Sequence, residues 1–169
     1  YSIIKRHGGY IEACSKLNKG SIFTLYLPAY TNPLPSMENI APSLQKNTGE
    51  ILLMDDEELI QKTVSAMLKN LGYSVVLANN GEEALKLIKE KSGTPFTAII
   101  LDLTIPGSMG GKEAIEQIRK ADTHIPVFVS SGYIDDPVMI HPDKYGFTAS
   151  LKKPFRMVEL TQLLAQHLK

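Results

Sequence analysis

Residues 50–56 read Glu50-Ile51-Leu52-Leu53-Met54-Asp55-Asp56. An apolar run of strand length is closed by two carboxylates. Three later runs end on polar groups in the same manner. Ala98-Ile99-Ile100-Leu101 closes on Asp102, Val127-Phe128-Val129 on Ser130-Ser131-Gly132, and Ala149-Ser150-Leu151 on Lys152-Lys153-Pro154. Strand ends are where open α/β sheets gather their chemistry. An acidic pair, a lone Asp, a hydroxyl and a Lys at such ends point to one phosphoryl site.

The segments between these runs carry helical spacing. Ile60, Val64, Met67, Leu68 and Leu71 recur on one face until Gly72 stops the pattern. Ser74–Ala78 reads as a second strand. Asn79-Asn80-Gly81 then turns into a helix with Ala84, Leu85 and Ile88 on one side. The third strand is expected over Phe96–Leu101, and Gly110-Gly111 precede a helix holding Ile115 and Ile118. The fourth strand is expected over Ile125–Val129. Pro137 and Pro142 limit a fourth helix to a short, irregular stretch near Pro137–Tyr145. Ala149–Leu151 is the fifth strand and Val158–Leu168 the last helix. Five βα units predict a doubly wound, five-stranded parallel sheet with helices on both faces, strand order 2-1-3-4-5.

Outside this region the composition changes. Thr31-Asn32-Pro33-Leu34-Pro35-Ser36, Ala41-Pro42-Ser43 and Asn47-Thr48-Gly49 read as a linker over 31–49. Residues 1–30 read as a helix end stopped by Gly8-Gly9, a strand from Tyr10 to Ala13, a turn at Asn18-Lys19-Gly20, and a strand from Ile22 to Leu27. So few elements make too small a core to fold alone.

Bulk properties exclude several classes. The 169 residues are 43% hydrophobic and 21% charged, ordinary for a globular protein. No apolar stretch approaches the roughly 20 residues that span a bilayer, so no membrane contact is expected of this chain. Cys14 is the single cysteine, which excludes an internal disulfide and fits a reducing, cytoplasmic setting. Residues 1–30 carry four basic side chains against one acidic, and residues 50–169 carry 13 basic against 16 acidic. Neither +3 nor −3 gives a nucleic-acid footprint.

Each site residue has a plainer reading. Asp55-Asp56 precede a helix and, taken alone, look like caps, with Glu57-Glu58 favourable to the helix dipole. Lys152-Lys153 before a proline could protect a sheet edge. Ser130 and Ser131 could begin a turn into Gly132, the preferred reading for Ser130. Asp102 is followed by Leu103-Thr104-Ile105-Pro106, which starts no helix. Together the terms change, because the first and third strands are neighbours in this topology. Carboxylates about 5 Å apart repel by about 3 kcal/mol at an effective dielectric of 20, so the cluster either raises a pKa or holds a cation. Carboxylates with a backbone carbonyl and waters suit Mg²⁺. Asp102 could then act as a carboxylate nucleophile toward phosphorus, with Lys153 and Ser131 stabilising the phosphoryl oxygens.

With Leu53-Met54-Asp55-Asp56-Glu57, Leu101-Asp102-Leu103-Thr104-Ile105-Pro106, Val129-Ser130-Ser131-Gly132 and Lys152-Lys153-Pro154-Phe155 in this order, residues 50–169 resemble a response-regulator receiver domain of flavodoxin-like fold. The resemblance implies that Asp102 accepts phosphate from a phosphohistidine of a kinase or of a phosphotransfer protein. Asp55 and Asp56 would organise Mg²⁺ or Mn²⁺, Asp56 more directly, and the Thr104 carbonyl would be a further ligand. Ser131 and Lys153 match the family's hydroxyl and lysine positions. Such a domain catalyses its own phosphorylation and dephosphorylation. A docking module that works unphosphorylated is the alternative, and a second copy of the chain is also admitted as a partner.

Residues 1–30 resemble the end of a histidine-kinase ATP-binding domain, through Ile3-Ile4-Lys5-Arg6-His7-Gly8-Gly9-Tyr10-Ile11 and Lys19-Gly20-Ser21-Ile22-Phe23-Thr24-Leu25-Tyr26-Leu27-Pro28. The whole then resembles the tail of a hybrid sensor kinase, whose parent could be membrane-anchored. The family's nucleotide motifs are not in this stretch, so no ATP binding is expected of it. His7, His124, His141 and His167 read as structural or solvated. Two departures stand out. Ser150 occupies the position where receivers carry a switch aromatic. The loop after Asp102 is glycine-rich, Gly107-Ser108-Met109-Gly110-Gly111, and either moves on phosphorylation or only shapes the entry to the site.

Overall fold

The computed structural model describes residues 2–29, 48–91 and 95–168. The chain divides into two compact units, Tyr1–Ala41 and Pro42–Lys169. Apart from residues 48 and 49, the expected linker lies outside the described residues.

In the first unit, α1 (Ser2–Arg6) leads through Gly8, at φ +67°, into an antiparallel hairpin of β1 (Tyr10–Lys16) and β2 (Gly20–Tyr26). Asn18 and Gly20 both take positive φ in the turn, as the Asn-Lys-Gly chemistry predicts. The first strand runs three residues past the expected Ala13, because every residue from Tyr10 to Lys16 finds a partner on β2. Cys14, His7, Ile22, Phe23 and Tyr26 are exposed.

The second unit is the predicted α/β sandwich. Its strands are β3 (Glu50–Met54), β4 (Ser74–Ala78), β5 (Ala98–Asp102), β6 (Val127–Ser131) and β7 (Ala149–Lys152). They pair in parallel in the order β4-β3-β5-β6-β7, which is 2-1-3-4-5 when the five are numbered on their own. The helices are α2 (Glu58–Asn70), α3 (Gly81–Glu90), α4 (Gly111–Ala121), α5 (Pro137–Ile140) and α6 (Met157–His167), with a 3-10 turn at Pro142–Tyr145.

Side-chain alternation along the strands divides the core in two. Leu52, Met54, Ile99, Leu101, Val127 and Val129 pack on one face with Ala84, Ile115, Ile118 and Val138. Ile51, Leu53, Ile100, Phe128 and Leu151 pack on the other with Val64, Leu68, Leu160 and Leu164 of α2 and α6. Burial on both faces is the reason these strands read as continuous apolar runs.

Three boundaries moved for local reasons. β5 begins at Ala98 because Thr97 N donates to Glu50 O and Glu50 N to Thr97 Oγ1, which spends Thr97 on closing the sheet's lower end. β6 begins after Pro126, which has no N–H for the ladder, and continues two residues beyond Val129. Ser130 and Ser131 are therefore sheet residues, which corrects the turn assigned to Ser130. The fourth helix is split by His141, with Pro137 and Pro142 each opening a piece.

Candidate phosphoryl-acceptor site

At the top of the sheet, β3, β5 and β7 each present a side chain from the face that α2 and α6 cover. Asp55 follows Leu53 by two residues, Asp102 follows Ile100, and Lys153 follows Leu151, so alternation places all three on one side. Lys153 Nζ lies 2.6 Å from Asp55 Oδ2 and 2.9 Å from Asp102 Oδ2. Asp55 is 2% exposed, Asp102 13% and Lys153 15%. Asp56, at the exposed rim, completes an acidic triad whose nearest oxygens all lie within 4.8 Å of one another.

Burial and the charges compete at each group. At Asp102, burial pushes the pKa up and the Asp55 and Asp56 charges add to it; the bond and charge of Lys153 pull it down without winning. At Lys153, burial disfavours the ammonium, but its bonds to Asp55 and Asp102 outweigh that and raise its pKa. The lysine thus stays charged, and the Asp102 carboxylate is held short of full stabilisation.

The cap reading of Asp55-Asp56 fails. Glu57 is the N-cap of α2, with no side-chain cap bond. Asp55 instead accepts from Glu57 N at 3.0 Å through Oδ1, which orients the carboxylate without capping the helix. Thr104 and Ser131 line the same cleft, of about 830 Å³, with Asp56, Asp102 and Lys153. Ser131 is 3% exposed, and its Oγ accepts from Tyr133 N at 3.1 Å. Of the histidines in this unit, His124, His141 and His167, none lines the cleft. All four histidines of the chain are exposed, and the His167 ring lies 5.7 Å from that of Phe128, tilted by 58°.

The glycine-rich loop is held close to the sheet. A Cβ on Gly111 would fall 2.6 Å from Asp102 O, and one on Gly110 would fall 2.6 Å from Leu103 O. Only glycine lets α4 start that near the strand end. The loop is also tied to α3, through Gly81 N to Met109 O at 2.8 Å and Glu82 Oε2 accepting from Ser108 Oγ and Met109 N. Ser150 Oγ donates to Met139 O at 2.8 Å, which anchors α5 to β7.

One supporting residue was missed in the sequence. Gln61 is buried, and its amide donates to Asp55 O at 2.5 Å, Ala78 O at 3.2 Å and Asn79 Oδ1 at 3.2 Å. It braces the backbone of the acidic pair. A polar side chain three residues before Val64 and seven before Leu68, on the apolar stripe of α2, was the available signal.

The donor set fits a small hard cation. Three carboxylates with open space beside them are oxygen ligands of the kind Mg²⁺ takes, and an octahedral ion with bonds of about 2.1 Å separates opposite ligands by about 4.2 Å. Adjacent ligands of such an ion stand about 3.0 Å apart, so the triad, within 4.8 Å, would draw together to hold it directly or hold it in part through water.

Comparison with known proteins agrees with this geometry. Residues 51–165 match the response regulator receiver domain family, and the chain belongs to it. It is a receiver domain of the two-component phosphorelay class, related to the receivers of hybrid kinases. The sensor kinase CckA of Brucella abortus is 29% identical over 180 residues, covering 99% of this chain and 18% of that protein. An NtrX-like response regulator of Rickettsia typhi is 36% identical over 116 residues, 68% of this chain and 24% of its own length. The chain thus spans a quarter or less of these curated relatives. Among solved structures, the receiver domain of a Pseudomonas aeruginosa sensor histidine kinase superposes with a TM-score of 0.63 at 27% identity, over 72% of this chain and 98% of that one. That structure has a magnesium ion coordinated in its active-site cleft.

Proposed function

We propose that Asp102 accepts a phosphoryl group from a phosphohistidine in an Mg²⁺-dependent or Mn²⁺-dependent transfer. The observation that carries this reading is the placement of Lys153 Nζ between Asp55 and Asp102. Lys153 engages Oδ2 of Asp102, which leaves Oδ1 to form the bond to phosphorus. As that bond forms, the phosphorus–nitrogen bond breaks and the electron pair returns to the imidazole. Asp55, Asp56, Asp102 and the Thr104 carbonyl would hold the cation, which supplies positive charge against the phosphoryl oxygens. Lys153 adds a point charge at the same oxygens. Ser131, whose Oγ accepts from Tyr133 N, keeps its own O–H proton to donate to them. The raised pKa of Asp102 keeps the carboxylate a better nucleophile than a fully stabilised one.

The donor histidine belongs, in this reading, to the parent kinase or to a phosphotransfer protein. Residues 1–30 are proposed as the end of an ATP-binding kinase domain and 50–169 as the receiver of a cytoplasmic hybrid-kinase segment. The match to a sensor kinase over 99% of the chain supports this, as do the exposed apolar side chains Ile22, Phe23 and Leu25 on the hairpin, which a larger domain would cover. Among the described residues no helix is long and apolar enough to cross a membrane. Incubation with a small phosphodonor and Mg²⁺ tests the acceptor role. Intact mass is expected to rise by one phosphoryl group in the wild type and to stay fixed in Asp102→Asn. A folded wild type that stays unmodified would refute it.

A further inference from the structure

Ser130 is 3% exposed, and its Oγ has no hydrogen-bond partner among the described residues. A buried hydroxyl without a partner is unfavourable and calls for an explanation. Its neighbourhood supplies one. Ser130 pairs in register with Asp102 across the parallel β5–β6 ladder, and residues paired in register send their side chains to the same face, on strands about 4.8 Å apart. Ser130 follows Phe128 by two residues, and Phe128 lies in the core under α2 and α6. By the same alternation that face carries Asp55, Asp102 and Lys153. Ser131 is on the opposite parity, with Val127 and Val129, and its Oγ already accepts from Tyr133 N.

At present both bonds that Lys153 makes in the site go to carboxylates, one of them Oδ2 of Asp102. A phosphoryl group on Asp102 draws the ammonium toward its own oxygens and leaves Asp102 with one donor fewer. A serine hydroxyl re-aims by rotation about a single bond, between staggered wells. Given the acceptor role above, on which this rests, we propose that Ser130 is a positioning residue of the site. Its hydroxyl donates to the Asp102 side chain when a phosphoryl group or its mimic is bound. The site then holds two hydroxyls of different duty. Ser131 serves the phosphoryl oxygens and Ser130 serves the acceptor itself.

The test compares wild type with Ser130→Ala and Ser130→Thr, titrating beryllofluoride in the presence of Mg²⁺ and measuring the thermal midpoint of each metal-free protein. Ser130→Ala removes one oxygen that bonds to nothing in the resting state, so its thermal midpoint is expected to equal or exceed that of wild type. Its beryllofluoride affinity is expected to fall by roughly fivefold or more, the loss of one hydrogen bond to a charged or polarised group. Ser130→Thr keeps the hydroxyl and is expected within about twofold of wild type. Binding by Ser130→Ala within twofold of wild type would overturn the inference while leaving the acceptor role intact. Ser130→Thr as weak as Ser130→Ala would also overturn it, since packing and not the hydroxyl would then be responsible. A folded wild type that binds no beryllofluoride would overturn the acceptor role and this inference together.

Discussion

The Lys153 ammonium reaches to 2.6 Å from Asp55 Oδ2, joining side chains 98 positions apart in sequence at the centre of an acidic cluster. Lys153 is thereby both the cluster's resident cation and a competitor for any metal that enters it. Replacing it with Met separates the two roles. Lys153→Met is expected to lose phosphoryl acceptance by about two orders of magnitude, since a pre-placed donor of this kind is worth roughly 3 kcal/mol in a transition state. The same variant is expected to bind Mg²⁺ more tightly than wild type. A metal titration paired with a phosphorylation rate checks both. Weaker metal binding in the variant would show that Lys153 positions the carboxylates more than it competes for them.

The raised pKa of Asp102 has a consequence for stability without metal. A carboxyl whose pKa is higher folded than unfolded binds more protons in the native state across the interval between the two values. Stability from this group therefore falls as pH rises through that interval, starting near the ordinary Asp value of about 3.9 and ending above the native one. Asp102→Asn removes the penalty. In metal-free buffer the variant is expected to be more stable than wild type at neutral pH, with the difference shrinking on acidification. Denaturant midpoints at several pH values check this, and added Mg²⁺ is expected to narrow the gap.

Gly111 sets two effects against each other. Alanine at the first turn of α4 would gain about 0.5–1 kcal/mol of helix propensity. Its Cβ would stand 2.6 Å from Asp102 O and 3.0 Å from Leu101 Cβ, and overpacking against backbone costs about 1–3 kcal/mol. The steric term is the larger, so Gly111→Ala is expected to destabilise by about 1 kcal/mol net and to slow phosphorylation by shifting the acceptor strand. Thermal unfolding and the phosphorylation rate are the measurements.

Arg119 is a test away from the site. Its guanidinium donates to Gly146 O at 2.7 Å, Ile125 O at 2.8 Å and Asp122 O at 3.2 Å. It ties the end of α4 to the start of β6 and to the turn before β7. Arg119→Met keeps the aliphatic stem and leaves three carbonyls without their donor, at a cost of about 2 kcal/mol after water replaces part of the loss. Phosphoryl acceptance is expected to persist, so a denaturation curve and a phosphorylation assay on one sample distinguish the two roles.

The parts legible in the sequence share a physical trait. The strands that lead to Asp55 and Asp102 are continuous apolar runs, so the closing polar residue is conspicuous, and the short strand before Lys153 is interrupted only at Ser150 before its closing lysines. The parallel order follows from short helical segments between such runs. What stayed hidden depends on register. Ser130 read as the start of a turn because serine and glycine favour turns. Only the pairing with Asp102 and Leu151 shows that Ser130 is in the sheet. Gln61 drew no notice in the sequence, and its duty is visible only once its amide stands against three acceptors at the end of β3 and β4. The duty of Gly110 and Gly111 was legible only as backbone freedom. Neither takes a positive φ, and closeness to Asp102 O and Leu103 O is what requires them. Ser150 was marked as a departure, but its bond to Met139 O could not be foreseen from spacing alone.

The acceptor role of Asp102 is tested most directly by trapping the product. An aspartyl phosphate is an acyl phosphate, and borohydride reduces its carbonyl to an alcohol while phosphate leaves. After incubation with a phosphodonor and Mg²⁺, reduction and peptide mass spectrometry are expected to find homoserine at position 102 and aspartate at 55 and 56. Reduction at position 55 or 56, or a phosphoryl group that survives the treatment on a serine or histidine, would contradict it.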